Sequence, residues 1–374
     1  MAKQKTVKQW AVQLLKVGIS AAIIGYLVWD SVRRGEGIFS DQHGFNPEKF
    51  WQLVHHAGQH WYHLILAFVT ATSGVLITFF RWWVLVRTVD VPLRLTESFR
   101  FSFMGFLFNL APMGLVGGDL AKAILAARRF PDHRPETVAS VFVDRVLGLY
   151  ALFVVASGAI LLTGLVSSSL PILQNICRLV LIVTVGATLV LIACWAPDVT
   201  GGNVITLMER VPIVGKLLAR FVTAFRAYRH HPWILITSVI MTCPVHLLFS
   251  VSIYFIGLGL FDRIQPLARH FVFCPLAGVM QVIPVSIGPA EFVLDRLFVL
   301  MPLADGTHML PGQGLVTLLV YRVFSLVLAT TGLSYFFFFA RTDWQEALRE
   351  AEEAEEWEKS ATPVSPVSKE AVRR

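Results

Sequence analysis

Two stretches of this 374-residue chain interrupt long apolar runs in the same way. Residues 109–119 read NLAPMGLVGGD, and residues 281–291 read QVIPVSIGPAE. When Pro112 is aligned with Pro284, an amide, a proline, small residues and a carboxylate fall in register. Prolines break helices, and irregular backbone is tolerated at membrane depth only where protein or a water-filled cavity surrounds it. The match predicts two related re-entrant helical hairpins, and two ordinary kinked spans are the alternative.

The chain around these stretches is too apolar for a soluble protein. Hydrophobic residues make up 55% of it and charged residues 15%, with a mean hydropathy of +0.63, whereas about a quarter of the residues in soluble domains are charged. A membrane span needs about 20 mostly apolar residues, and six runs qualify: 10–30, 62–86, 138–164, 172–195, 233–261 and 313–340. The sequence therefore predicts an all-α integral membrane protein with about six full transmembrane helices plus two re-entrant helical hairpins.

Lysine and arginine residues indicate the orientation, because short cytoplasmic loops are enriched in them. With a cytoplasmic N-terminus, the inside loops hold Lys3, Lys5, Lys8, Arg87, Arg94, Arg100, Arg128, Arg129, Arg134, Arg210, Lys216, Arg220, Arg226 and Arg229. The outside loops hold only Arg33, Arg34, Lys49, Arg263 and Arg269. We expect a bacterial cytoplasmic (inner) membrane protein with both termini in the cytoplasm. Three full crossings then separate the hairpins, which makes them an inverted repeat of the kind found in transporters.

The chain divides into a polytopic membrane domain, residues 1–340, and a charged cytoplasmic tail, residues 341–374, which we expect to be partly disordered. Within the membrane domain, residues 203–231 carry an apolar stripe beside basic residues. This pattern favours an amphipathic helix on the cytoplasmic membrane surface, and a connector helix packed on protein is the alternative. The first apolar run follows three lysines and has no small-x-small cleavage site after it, so we interpret it as an uncleaved anchor.

Charged residues inside or beside apolar segments are the candidate site. They are Asp119, Lys122, Asp144, Arg145, Glu291 and Arg322. Each would be costly against lipid, so they must face a protein interior, pair with one another or line a path. Asp144 could neutralise Arg145, or Asp119 could pair with Lys122 across one helical turn. Because an arginine recurs in both halves, we favour a role for Arg145 and Arg322 in holding a lipid phosphate.

At these residues the chain resembles the lysylphosphatidylglycerol synthase transmembrane-region family, which is also described as flippase-like. The matching motifs are Arg81-Trp82, Phe108-Asn109 through Pro112 to Gly117-Gly118-Asp119 and Lys122, Asp144-Arg145 with Gly148, Pro284 to Glu291, and Tyr321-Arg322. The resemblance covers nearly the whole chain to about residue 340. Two departures are Lys122, where the family more often has Arg, and Val285-Ser286, where it usually has Gly-Gly.

The charges and the resemblance together give the predicted site. The lipid-headgroup and pathway residues are Arg81, Asn109, Asp119, Lys122, Asp144, Arg145, Glu291 and Arg322. The hairpin tips contain Pro112, Gly114, Gly117, Gly118, Pro284 and Gly288. We expect Arg145 and Arg322 to converge on one polar cavity, with Asp119 and Glu291 as their neighbours. No soluble aminoacyl-transfer domain follows, so the resemblance implies lipid translocation without lysine transfer.

The favoured function is therefore translocation of a phospholipid or polyprenyl-phosphate-linked lipid between leaflets, without enzymatic activity. The expected partners are membrane lipids with anionic or phosphate-bearing headgroups. A nucleic-acid partner is not expected, because the sequence has no polar face rich in basic residues. A membrane-embedded lipid-modifying enzyme, with Asp119 and Glu291 as acid and base, and a non-catalytic partner of a separate lipid synthase are the alternatives. No cofactor is expected, since the sequence has no nucleotide-binding motif. No metal site is expected either. The four cysteines lack CxxC spacing, and His55, His56, His60 and His63 are expected in or beside a solvated loop.

Overall fold

The computed structural model describes residues 2–34, 37–38, 40–41, 44–110, 115–168, 170–194, 222–280, 283, 285, 287–303 and 305–339. The helices in these ranges are α1 Ala2–Arg34, α2 Pro47–Gln59, α3 Trp61–Thr88, α4 Leu95–Leu110, α5 Leu115–Arg129, α6 Arg134–Thr163, α7 Pro171–Ala193, α8 Pro232–Leu260, α9 Leu267–Val279, α10 Pro289–Leu300 and α11 Gln313–Phe339. Two-residue strands, β1 Ser40–Asp41 and β2 Gly44–Phe45, pair antiparallel between α1 and α2. Single 3-10 turns, Pro131–His133 and Leu165–Ser167, flank α6.

Six of the described helices are long and apolar enough to cross a membrane. Their apolar segments are Leu15–Arg33, Trp61–Thr88, Pro131–Thr163, Pro171–Ala193, Pro232–Leu260 and Gln313–Thr331. This confirms the prediction of a multi-pass helical membrane protein with about six spans. Several spans begin with a proline in the first turn, where its fixed φ suits the helix and its missing N–H is not needed.

Helix α2 was not predicted, and the histidines expected in or beside a loop lie in or next to two helices. Asn46 caps its N-terminus by accepting a 2.8 Å hydrogen bond from the main-chain N–H of Glu48. His55 and His56 lie within α2, and His63 lies in the first turn of α3. The helix was missed because its 13 residues, half of them polar, are too few to be recognised as a membrane span.

Helices α4 and α5 form an antiparallel hairpin. At its open end, where α4 begins and α5 ends, Arg129 pairs with Glu97 at 3.1 Å. Near its other end the Gly118 N–H donates to the Asn109 side chain at 3.2 Å. A Cβ on Gly118 would overlap the carbonyl oxygen of Gly105, so the two backbones are in direct contact there. At a rise of about 1.5 Å per residue, each helix is shorter than the roughly 30 Å of a bilayer core.

Helices α9 and α10 form a second antiparallel hairpin. Gln265, just before α9, donates a 2.7 Å hydrogen bond to the carbonyl of Met301, just after α10. Farther into the hairpin, the His270 and Phe298 rings lie 5.5 Å apart. Gly288 precedes α10 with a φ of 121°, which only glycine adopts readily.

The two hairpins have their open ends near opposite ends of α3. In the first, the Ser98 hydroxyl donates to the carbonyl of Phe79, in the second half of α3. The second hairpin follows directly after α8, whose Gly259 packs against Leu64 at the start of α3. Pro112, Gly114 and Pro284 lie outside the described residues, so the tips themselves, the re-entrant insertion and the inverted repeat stay predictions.

The described end of the predicted amphipathic segment packs on protein. Residues 222–226 are helical, and Phe225 is buried in a core cluster with Trp82 and Leu85. The Tyr228 hydroxyl donates to the Leu85 carbonyl at 3.2 Å. Residues 203–221, which carry the rest of the apolar stripe, and the tail from 341 to 374 lie outside the described residues.

Candidate functional site

A buried ionic triad connects the first hairpin to two long helices. Arg81 of α3 donates from Nε to Oδ1 of Asp144 in α6 at 2.8 Å and from Nη1 to the Thr242 hydroxyl in α8 at 2.5 Å. Lys122 of α5 lies 3.5 Å from Oδ2 of the same Asp144 and 4.3 Å from the centre of the Trp82 ring. Arg81, Lys122 and Asp144 are 4%, 7% and 8% exposed. Asp144 therefore has two cationic partners, both from other helices.

A second ion pair lies beside this triad, and its side chains are partly exposed. Nη1 of Arg145 is 3.5 Å from Oδ2 of Asp119, and the two side chains are 46% and 30% exposed. Consecutive residues on a helix do not face each other, so Asp144 is neutralised by Arg81 and Lys122 and not by Arg145. Asp119 is likewise paired with Arg145 on the next helix. Lys122 is buried, and its role in holding a lipid headgroup stays a prediction.

Two small residues of the predicted motifs provide space for these contacts. Gly148 of α6 packs against the Arg81 guanidinium: a Cβ there would lie 3.5 Å from Nη2. The Gly148 carbonyl also lies 3.0 Å from Nε2 of His246 in α8. The Asn109 amide binds the N–H of Gly118 in the first turn of α5. Gly148 and Asn109 therefore hold neighbouring helices in contact around the ionic residues.

The second hairpin carries a similar pair. Glu291 of α10 is completely buried and accepts a 2.5 Å hydrogen bond from Nε of Arg322 in α11. The other oxygen of Glu291 accepts a 2.7 Å hydrogen bond from the Gly288 N–H, which closes the first turn of α10. The Arg322 side chain is 30% exposed. In both halves, a carboxylate on the second helix of the hairpin thus pairs with an arginine on the long helix that follows.

The structure also shows charged residues that were not predicted. Oδ1 of Asp295 accepts hydrogen bonds of 2.8 and 3.1 Å from the N–H groups of Gly312 and Gly314, at the start of α11. Arg296 lies between Asp295, at 3.4 Å, and Asp30 of α1, at 2.8 Å. An Asp-Arg dipeptide inside an apolar run, like the one at 144–145, was the signal that could have identified this site.

Arg145 and Arg322 belong to two separate ion pairs, and their convergence on one cavity stays a prediction. In the part of the chain that the structure describes, no group of three or more His, Cys, Asp and Glu side chains is placed to hold a metal ion.

Comparison with known proteins gives one match. A family model described as the lysylphosphatidylglycerol synthase TM region matches residues 13–332. Neither the curated proteins nor the solved structures contain a match to the chain.

Proposed function

The chain belongs to the lysylphosphatidylglycerol synthase transmembrane-region family, and from this premise we propose that it moves a lipid between membrane leaflets. The cargo would be a phospholipid or a polyprenyl-phosphate-linked lipid, and the membrane the inner membrane of a bacterium, with both termini in the cytoplasm. The observation that carries the proposal is the pair of related ionic contacts, Asp119 with Arg145 and Glu291 with Arg322.

The exposure of the arginines supports a role in headgroup binding. In each pair the arginine is more exposed than its carboxylate: 46% against 30% for Arg145 and Asp119, and 30% against 0% for Arg322 and Glu291. A guanidinium binds phosphate through two parallel hydrogen bonds. The carboxylate neutralises its arginine in the empty site and competes with the bound phosphate, so the lipid can leave again.

The hairpins would give both leaflets access to these arginines. In the proposal each hairpin re-enters the membrane from a different face, as their attachment near opposite ends of α3 suggests. Rocking of one half against the other would expose the site alternately to the two sides. The acyl chains would stay in the bilayer, reached through a lateral opening, and only the polar headgroup would cross.

A leaflet assay in liposomes tests the proposal. Purified protein is reconstituted with fluorescent lipids, and the fraction reduced by an impermeant quencher is followed over time. We expect Arg145→Lys and Arg322→Lys to slow translocation by about tenfold or more, because lysine keeps the charge but cannot make the two parallel hydrogen bonds of a guanidinium. Arg263→Lys is the matched control, since Arg263 is 68% exposed in a pair with Asp305 outside the spans.

Two results would contradict the proposal. Folded Arg145→Ala and Arg322→Ala proteins that translocate lipid at the wild-type rate would remove the arginines from the mechanism. A deletion strain that lacks one lipid species, rather than showing an altered leaflet distribution, would indicate an enzyme instead.

A further inference from the structure

The residues around the first hairpin carry an excess of positive charge. We define the first charge cluster as Arg81, Asp119, Lys122, Asp144 and Arg145. Asp119 pairs with Arg145 and also interacts electrostatically with the other three members, while Asp144 contacts Arg81 and Lys122. Three bases and two acids give a net charge of +1 for the cluster. Its members are held by three helices, α3, α5 and α6.

The excess charge is divided between a buried and an exposed part of the cluster. Arg81, Lys122 and Asp144 are less than a tenth exposed, whereas the neighbouring pair of Asp119 and Arg145 is partly exposed. A charge in an apolar environment is costly unless an opposite charge is close by. A compact anion at Arg145 would supply that charge without disturbing the buried triad.

The second hairpin does not have this excess. Glu291 and Arg322 form a pair with no net charge, and a separate group of Asp30, Asp295 and Arg296 holds two acids and one base. Main-chain N–H groups offset part of the negative charge: Asp295 accepts from the first turn of α11, and Glu291 accepts from Gly288. A phosphate beside Arg322 would therefore give a net negative charge to a pair that is neutral without it.

We propose that the first charge cluster is a headgroup site for a single negative charge, namely the phosphate diester of a membrane lipid, and that Asp119 determines this preference. The inference rests on the proposed function. One phosphate diester brings the cluster from +1 to zero, whereas a doubly charged phosphomonoester leaves it at −1. Because only the first cluster carries a positive excess in this conformation, the lipid headgroup binds there first. Arg322 contacts the headgroup later, as the lipid moves between the leaflets.

Binding of defined lipids to the full-length protein tests the proposal. The protein is placed in phosphatidylcholine nanodiscs, and dissociation constants are measured for phosphatidylglycerol, a monoanionic diester, and for phosphatidic acid at pH 8. Phosphatidic acid is a phosphomonoester, as a phosphorylated side chain is, and phosphorylated side chains lose their second proton at about pH 6. We expect the wild-type protein to prefer phosphatidylglycerol.

Two variants of the cluster and one control separate charge from other effects. Asp119→Asn raises the cluster to +2, so preference should shift toward phosphatidic acid by about tenfold, as expected for one added charge a few ångströms away. Arg145→Gln lowers the cluster to zero and should abolish the preference for anionic lipid. Glu97→Gln adds the same charge to the same hairpin at its open end, where Glu97 pairs with Arg129, and should leave the preference unchanged.

The double variant Asp119→Asn/Arg145→Gln returns the cluster to +1 and should regain the preference for one negative charge, with weaker binding. Thermal unfolding in detergent checks that each single variant is folded. An Asp119→Asn protein with the wild-type preference, or an equal shift in Glu97→Gln, would overturn the inference. Translocation without any headgroup charge preference would leave the proposed function intact and contradict the proposed headgroup site. Selective binding without translocation would support the headgroup site and contradict the proposed function.

Discussion

Arg81 and Asp144 are joined at two points across α3 and α6. Nε of Arg81 donates to the Asp144 carboxylate at 2.8 Å, and Nη2 donates to the Asp144 main-chain carbonyl at 3.1 Å. The remaining nitrogen reaches the Thr242 hydroxyl in α8. One buried guanidinium therefore ties together three long helices that are far apart in sequence.

Loss of this guanidinium should destabilise the protein strongly. Arg81→Gln is expected to cost about 3–5 kcal/mol, because it breaks a buried ion pair and leaves the Asp144 carboxylate undercompensated. Arg81→Lys keeps the charge but cannot reach Asp144 and Thr242 together, so its loss should be intermediate. Thermal unfolding in detergent measures both. The exposed Arg263→Gln should not change the midpoint, and an equally small effect of Arg81→Gln would refute the buried contact.

The backbone contact between Gly105 and Gly118 should not tolerate a side chain. In Gly118→Ala the new methyl group would overlap the Gly105 carbonyl and the Asn109 amide, so α4 and α5 must separate. We expect a loss of about 1–3 kcal/mol or more, seen as a lower unfolding temperature. Gly186→Ala in α7 is the control, since nothing lies within 4 Å of its added Cβ. Identical behaviour of the two variants would contradict the close approach.

Helix α1 should depend on Arg296 for its attachment. Arg296 binds Asp30 of α1 at 2.8 Å and lies 5.8 Å from the centre of the Tyr26 ring. Arg296→Gln removes the charge from both contacts, so amides of residues 15–33 should exchange hydrogen faster. Hydrogen–deuterium exchange with mass spectrometry measures this. Exchange in α7, which does not contact Arg296, serves as the internal reference, and unchanged exchange in α1 would show that other contacts hold the helix.

The open ends of the two hairpins should be accessible from opposite sides of the membrane. In a cysteine-free background, single cysteines at Thr96 and Arg129 should react with an impermeant maleimide from one side. Cysteines at Arg263 and Asp305, which pair with each other at the other hairpin, should react from the other side. Labelling of Thr96 and Arg129 from different sides would mean that the first stretch crosses the membrane and is not re-entrant.

Properties that depend on local sequence could be predicted well. The six spans followed from length and apolarity alone, and their positions agree closely with α1, α3, α6, α7, α8 and α11. Helix α2 was missed because it is half polar, and its stability depends on packing of Leu53 and Ala57 against the core. The Asp295-Arg296 dipeptide carried the same signal as Asp144-Arg145 and was overlooked, whereas the contact of Arg296 with Asp30 joins two helices that only the tertiary structure brings together.

The sequence by itself determined that this chain lies in a membrane, because the free energy of transfer into lipid adds up along each apolar segment. It also indicated which charges need partners, since each is unfavourable alone at that depth. Only the tertiary structure decided the pairing. Asp144 is paired with Arg81, 63 residues away, and not with adjacent Arg145, because consecutive side chains point in different directions on a helix. The packing of α3, α5 and α6 therefore selects the partner.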